Sequence, residues 1–200
     1  SGSFRSFNAL YRPIMSVQLA IHGKTFSAET KPLMEKMWTD ICAKNCQPIL
    51  SDFFKNHLLE HGFSVADVPS YSTEKGLESA DMAWSIGGDG TLLETLTQIG
   101  AKEIPILGIN TGRLGFLATL SPPEISTALD TVLQGNYRIE NRSLVSVESE
   151  IDFFDGKGFG LNEVGIMKTD TSSMITIKAF VDGNYLNSYW ADGLIVSTAT

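Results

Sequence analysis

One short run combines residue types that could do chemistry: Gly87-Gly88-Asp89-Gly90-Thr91, three glycines around one carboxylate. The apolar approach Met82-Ala83-Trp84-Ser85-Ile86 reads as a buried strand and residues 91–99 read as a helix, so the run occupies a strand-to-helix turn. Gly87, Gly88 and Gly90 would let a phosphate approach the main chain without meeting a Cβ, and the free N–H groups of the following helix favour an anion. Thr91 adds a hydroxyl that can donate a hydrogen bond. Asp89 is placed to accept a proton from a hydroxyl held against the loop. The plainer reading is a tight turn whose aspartate caps the next helix. Two familiar phosphate loops do not fit. The P-loop needs Lys followed by Ser or Thr after its last glycine, where this chain has Thr91-Leu92, and the dinucleotide fingerprint needs a differently spaced third glycine.

The elements that must position this turn follow from periodicity. Val17-Gln18-Leu19-Ala20-Ile21 alternates and leads into His22-Gly23-Lys24, a first strand and its loop. Pro32 with Leu33, Met37 and Ile41 marks an amphipathic helix; residues 47–50 predict a strand, 53–61 a helix ended by Gly62, 63–65 a further strand edge, and 70–78 a polar loop. Strand and helix thus alternate, which predicts a Rossmann-like parallel sheet with helices on both faces. A short buried strand at 104–110 leaves toward the same edge as Gly87, and its loop carries Arg113, a candidate cation for phosphate or a partner in a structural ion pair. Leu114, Phe116 and Leu117 in that loop read as packing residues. Ser121-Pro122-Pro123 marks a boundary, so the domains are expected at 15–122, α/β and nucleotide-binding, and 123–200. A helix over 124–133 opens the second; from Tyr137 the period changes to two, and Asp182-Gly183-Asn184 signals a hairpin, so the C-terminal domain is expected to be β-rich and sandwich-like.

Composition limits the function classes. With 15 basic and 23 acidic residues the formal charge is −8, which argues against a nucleic-acid partner and requires an ATP-handling enzyme to recruit Mg²⁺ and a local basic cluster. No apolar run approaches the ~20 residues of a membrane helix, and a cytoplasmic location is expected. Cys42 and Cys46 have no second Cys or His pair at zinc spacing and read as free thiols. His57-Leu58-Leu59-Glu60-His61 fits an inverted zinc-protease pattern but falls on a helix's last turn, where histidine is favoured by the dipole alone.

The glycine run resembles the signature of the NAD kinases, which share it with the diacylglycerol and sphingosine kinases and, more distantly, the phosphofructokinases. Gly108-Ile109-Asn110-Thr111-Gly112-Arg113-Leu114-Gly115-Phe116-Leu117, Leu161-Asn162-Glu163-Val164 and Ala191-Asp192-Gly193-Leu194-Ile195-Val196-Ser197-Thr198 are similar to NAD kinase motifs in the same order and spacing. The resemblance implies transfer of a γ-phosphoryl group from ATP, another nucleoside triphosphate or polyphosphate, with Mg²⁺ or another divalent cation, to the 2′-hydroxyl of the adenosine ribose of NAD. It implies Asp89 as the base and Asp89, Gly90, Asn162, Glu163, Ser173, Trp190, Asp192 and Thr200 as NAD-binding residues. The phosphate loop would comprise Gly87, Gly88, Gly90, Thr91 and Arg113. Asn162-Glu163 would hold the adenine or ribose and Asp192 the nicotinamide end, while turn residues are the plain alternative for both. A homo-oligomer, dimer or tetramer, is expected on the same basis. Ala199 replaces the usual proline, and the chain stops within a motif, so the second domain is expected to be truncated. Two other functions compete: a lipid kinase, disfavoured by the motifs at Asn162 and Asp192, and a non-catalytic dinucleotide-binding module, disfavoured because a binder gains nothing from an unpaired carboxylate near phosphates.

Overall fold

The computed structural model describes residues 16–72, 77–112, 115–170 and 172–199. Strand β1 (Val17–Gly23) is central to a five-stranded sheet with β2 (Cys46–Ser51), β3 (Ser70–Tyr71), β4 (Met82–Gly87) and β5 (Ile106–Asn110). The order is β3-β2-β1-β4-β5 and every pairing is parallel. The chain winds outward from β1 to β3, then returns to β4 on the other side of β1, so the topological switch point lies between β1 and β4.

Period-two alternation divides the strands between two cores. Leu19 and Ile21 of β1 with Trp84 and Ile86 of β4 meet Met34, Met37 and Ile41 of helix α1 (Lys31–Ala43) and Phe54 and Leu58 of α2 (Asp52–Glu60). Ala20 and Ala83 face the opposite side with Tyr71, Leu77 and Ile99, the last from α3 (Asp89–Ile99). Helices therefore cover both faces, as expected.

Several boundaries depart from periodicity for identifiable reasons. On α1 Met34 is fully buried and Leu33 only partly so. Helix α2 begins at Asp52 because the Ser51 hydroxyl caps it, accepting the Phe54 N–H. Residues 63–65 form no strand; Phe63 and Val65 fill the first core from a loop. The third strand is instead the polar-looking Ser70–Tyr71, whose aromatic ring is buried in the second core.

Helix α4 (Ile125–Leu133) packs Ile125, Leu129 and Val132 into the first core. The compact units consequently divide between Ile139 and Glu140, after this helix, instead of at Ser121-Pro123. The second unit contains only antiparallel pairs: β6 (Leu144–Ser146) with β7 (Phe159–Leu161), β8 (Glu163–Met167) with β11 (Gly193–Ser197), and β9 (Ile175–Val181) with β10 (Asn184–Ala191). The β9–β10 hairpin turns through Asp182 and Gly183 at φ 51° and 78°, the left-handed pair of a type I′ turn. This unit is β-rich as expected, and its strands pair as three two-stranded antiparallel sheets.

Candidate active site

The glycine turn leaves β4 at the switch point, where ligands of open parallel sheets bind. Gly88 is the N-cap of α3 and Asp89 its first residue, so the aspartate is not the cap and makes no capping hydrogen bond. Gly87 has no room for a side chain, because a Cβ there would overlap the Thr91 hydroxyl. Thr91 is accordingly buried beneath the turn and packs it from below.

The Asp89 carboxylate reaches across to the loop after β5. The Phe116 N–H donates to Oδ2 at 2.8 Å, and the Leu117 and Ala118 N–H groups donate to Oδ1 at 3.0 and 3.1 Å. Those donors, Phe116 foremost, hold the carboxyl below its ordinary range. Gly115 permits the approach, since any Cβ there would collide with the carboxylate. The loop is drawn in by its own ladder: Thr111 N–H donates to the Gly87 carbonyl at 3.1 Å, Leu120 N–H to Gly108 at 3.2 Å, and Asn110 N–H to Leu120 at 2.8 Å. Asp89 is therefore a paired group. Phe116, read from sequence as packing, is 96% exposed beside it. Arg113, Leu114 and Thr200 lie outside the described residues.

Sequence reasoning missed a polar chain on the same edge. Lys24 Nζ stands 3.1 Å from Glu94 Oε1 on α3, and Glu94 Oε2 stands 3.3 Å from Nε2 of the buried His22. His22 Nδ1 is 2.8 Å from the Ser51 hydroxyl. A neutral imidazole protonated at Nε2 satisfies both contacts, and burial pulls its pKa down, in agreement. Adjacency of β1 and β4 creates this cluster, and no local sequence signal announces it.

In the second unit Asn162 joins β7 to β8 at φ 70°, and its carbonyl accepts the Thr198 N–H at 2.7 Å. Glu163 starts β8 opposite Ser197 and is exposed. Asp192, before β11, pairs with Lys168 at 2.7 Å. The two motifs thus mark opposite ends of one strand pair, roughly 20 Å apart at about 3.4 Å per residue. Ser173 is exposed in the bend before β9, and Trp190 on β10 is 75% exposed. Arg142 pairs locally with Glu140 at 2.8 Å.

The histidine pair is committed elsewhere. His57 Nε2 accepts the Phe26 N–H at 3.1 Å, His61 Nδ1 is 2.9 Å from the His57 carbonyl, and both rings contact Phe26, His57 edge-on and His61 tilted. Among the described residues no three His, Cys, Asp or Glu side chains converge to hold a metal ion, and no helix is long and apolar enough to cross a membrane. At the glycine turn, Asp89 is engaged by three amides and Glu94 by Lys24 and His22. That donor set fits magnesium as an ion carried mainly by phosphate oxygens and water.

A doubly wound parallel sheet with Gly-Gly-Asp-Gly-Thr at its switch point defines an α/β domain of the open, Rossmann-like class. The chain belongs to the NAD kinase family: the model of the ATP-NAD kinase N-terminal domain matches residues 11–137. It is 39% identical over 182 residues to the NAD kinase of Cytophaga hutchinsonii, covering 90% of this chain and 62% of that protein. It is 40% identical over 187 residues to the NAD kinase of Flavobacterium psychrophilum, covering 92% and 64%. The chain thus spans less than two thirds of the length of these relatives. A crystal structure of yeast NADH kinase complexed with NADH shares the fold, with TM-score 0.69 and 18% identity over 90% of this chain and 57% of that one.

Proposed function

We propose that the protein is an NAD kinase, transferring the γ-phosphoryl group of ATP, another nucleoside triphosphate or polyphosphate to the 2′-hydroxyl of the adenosine ribose of NAD. The carrying observation is the Gly87–Thr91 turn at the switch point of a chain in this family. Phosphoryl transfer asks the protein for positioning and charge neutralisation above all. A carboxylate offers about four lone-pair sites, and three amides occupy three of them, leaving one on Oδ2 for a substrate hydroxyl. Asp89 then orients that hydroxyl and takes its proton late, as the new phosphorus–oxygen bond forms and the bond to the leaving nucleoside diphosphate, or to the shortened polyphosphate, breaks. Its lowered pKa makes an early abstraction unfavourable. Bound with the donor, magnesium supplies neutralisation of the phosphate charge. Exposed Phe116 offers an apolar face for a planar base beside the carboxylate. The family resemblance assigns Asn162 and Glu163 to the adenine or ribose and Asp192 to the nicotinamide end. Ser173, Trp190, Arg113 and Thr200 keep their assignments within this proposal, as do the homo-oligomer, the cytoplasmic location and the division into an α/β nucleotide-binding part and a β-rich dinucleotide-binding part.

One observation favours a second reading. Because Asp89 is paired with three amides, a module that only binds a dinucleotide would also have use for it, as the clamp of the loop after β5. The test is NADP formation from NAD, ATP and magnesium, coupled to an NADP-specific dehydrogenase, in this chain and in a version extended past Thr200. Turnover that disappears with Asp89→Asn establishes the kinase. A folded, extended protein that binds NAD and forms no NADP with any donor refutes it, and diacylglycerol is the next acceptor to try.

A further inference from the structure

β1 and β4 are the strands from which the sheet order reverses, and their carboxyl ends open on the same crevice. Lys24 is the first residue after β1. Its N–H donates to the Ile86 carbonyl at 3.2 Å, which fixes its backbone against the residue that precedes the glycine turn. Its loop is fastened again two residues on, where the Phe26 N–H donates to His57. The side chain is held as well. Nζ lies 3.1 Å from Glu94 Oε1, and the other Glu94 oxygen meets the buried His22, itself bonded to the hydroxyl that caps α2.

This chain of contacts aims the ammonium at the glycine turn: a Cβ built on Gly90 would stand 3.8 Å from Lys24 Nζ. An ion pair whose side chains are each 50% exposed contributes little to stability, so stability does not account for the arrangement. The ammonium has three donors and Glu94 takes one, which leaves two for another acceptor. The glycine-lined side of the turn, open where side chains would otherwise stand, is where such an acceptor fits. For a protein of charge −8, a local cation is also what an incoming polyanion requires.

We propose that Lys24 binds the phosphate chain of the phosphoryl donor over Gly90. The ligand class is a linear oligophosphate, whether carried by a nucleoside or free as inorganic polyphosphate. Its role in turnover rests on the kinase reading above; its role in binding does not.

The experiment titrates the full chain with ATP and, separately, with inorganic tripolyphosphate by calorimetry, comparing Lys24→Met and Lys24→Arg. Loss of the charge-assisted bonds should weaken both ligands about tenfold in Lys24→Met, with Lys24→Arg restoring most of the affinity. Unchanged tripolyphosphate affinity in Lys24→Met overturns the proposal, as does a parent chain that binds neither probe or a loss confined to ATP. In a parent that forms NADP, Lys24→Met should raise KM for ATP about tenfold and leave KM for NAD unchanged; a shift falling on NAD instead overturns the proposal. Tripolyphosphate binding through Lys24, together with a folded version extended past Thr200 that binds NAD and forms no NADP with any donor, leaves the proposal standing and removes the kinase reading.

Discussion

Asp89 links two loops through one side chain, and its replacement should therefore register in two ways. Asparagine supplies one acceptor oxygen and an amide that must itself donate, so at least one of the three N–H groups at Phe116, Leu117 and Ala118 loses its partner. We expect Asp89→Asn to speed hydrogen exchange at these amides and to lower NADP formation by orders of magnitude; exchange unchanged at all of them would show the clamp to be weak. The histidines set a pH dependence. Burial lowers the pKa of both His22 and His57 below the ordinary value near 6.5, so on acidification the unfolded chain binds protons first. Their contribution to stability is complete above about pH 6.5 and declines as pH falls from there toward the folded values. Urea midpoints should drop over that window, and His22→Asn should flatten the slope. Asp89 acts at lower pH: its carboxyl is depressed, so its contribution is present above the ordinary carboxylate range and is lost as pH falls through the folded value.

At the level of elements, the glycine turn depends on contact between β4 and the first turn of α3. Gly87→Ala would place a methyl group against the Thr91 hydroxyl and should destabilise the protein by roughly 1–3 kcal/mol, as overpacking does. Adding Thr91→Ala should recover part of that loss in a double-mutant cycle of urea unfolding, whereas strict additivity would mean that the two residues do not compete for the space. The length of α3 has the same origin. Periodicity begins the helix at Thr91, but Gly88 takes the cap position and carries the helix back to Asp89, which turns the carboxylate toward the loop after β5. A similar tertiary effect makes Ser70–Tyr71 a strand, because the β2 edge and a buried ring recruit two residues that look like loop.

At the level of the whole molecule, the two units differ in how much they bury. The first holds both cores; in the second no described residue is fully buried, and Phe153, Met167, Phe180 and Ile195 are among its exposed apolar side chains. Isolated two-stranded sheets are marginal in water. Native-state hydrogen exchange should therefore show slow, globally limited exchange in β1 and β4, and exchange faster by orders of magnitude through β6–β11. Equal protection in the two units would contradict this expectation.

Much of this was determined locally. The alternation of β1, the apolar run of β4, the i, i+4, i+7 spacing of Ile125, Leu129 and Val132 on α4 and the Asp182-Gly183 hairpin are short-range patterns, because a strand or helix face is written within a few residues of itself. The glycine turn and the three companion motifs are likewise contiguous, and they sufficed to place the chain among the NAD kinases. Which strands lie side by side is different, since it depends on contacts between residues far apart in the chain. Only the tertiary structure put β1 against β4, and with it Lys24 and buried His22 beside Gly90 and Glu94. Only the folded loop after β5 converted Asp89 from a free carboxylate into one held by three amides, because backbone N–H groups leave no signature in side-chain pattern.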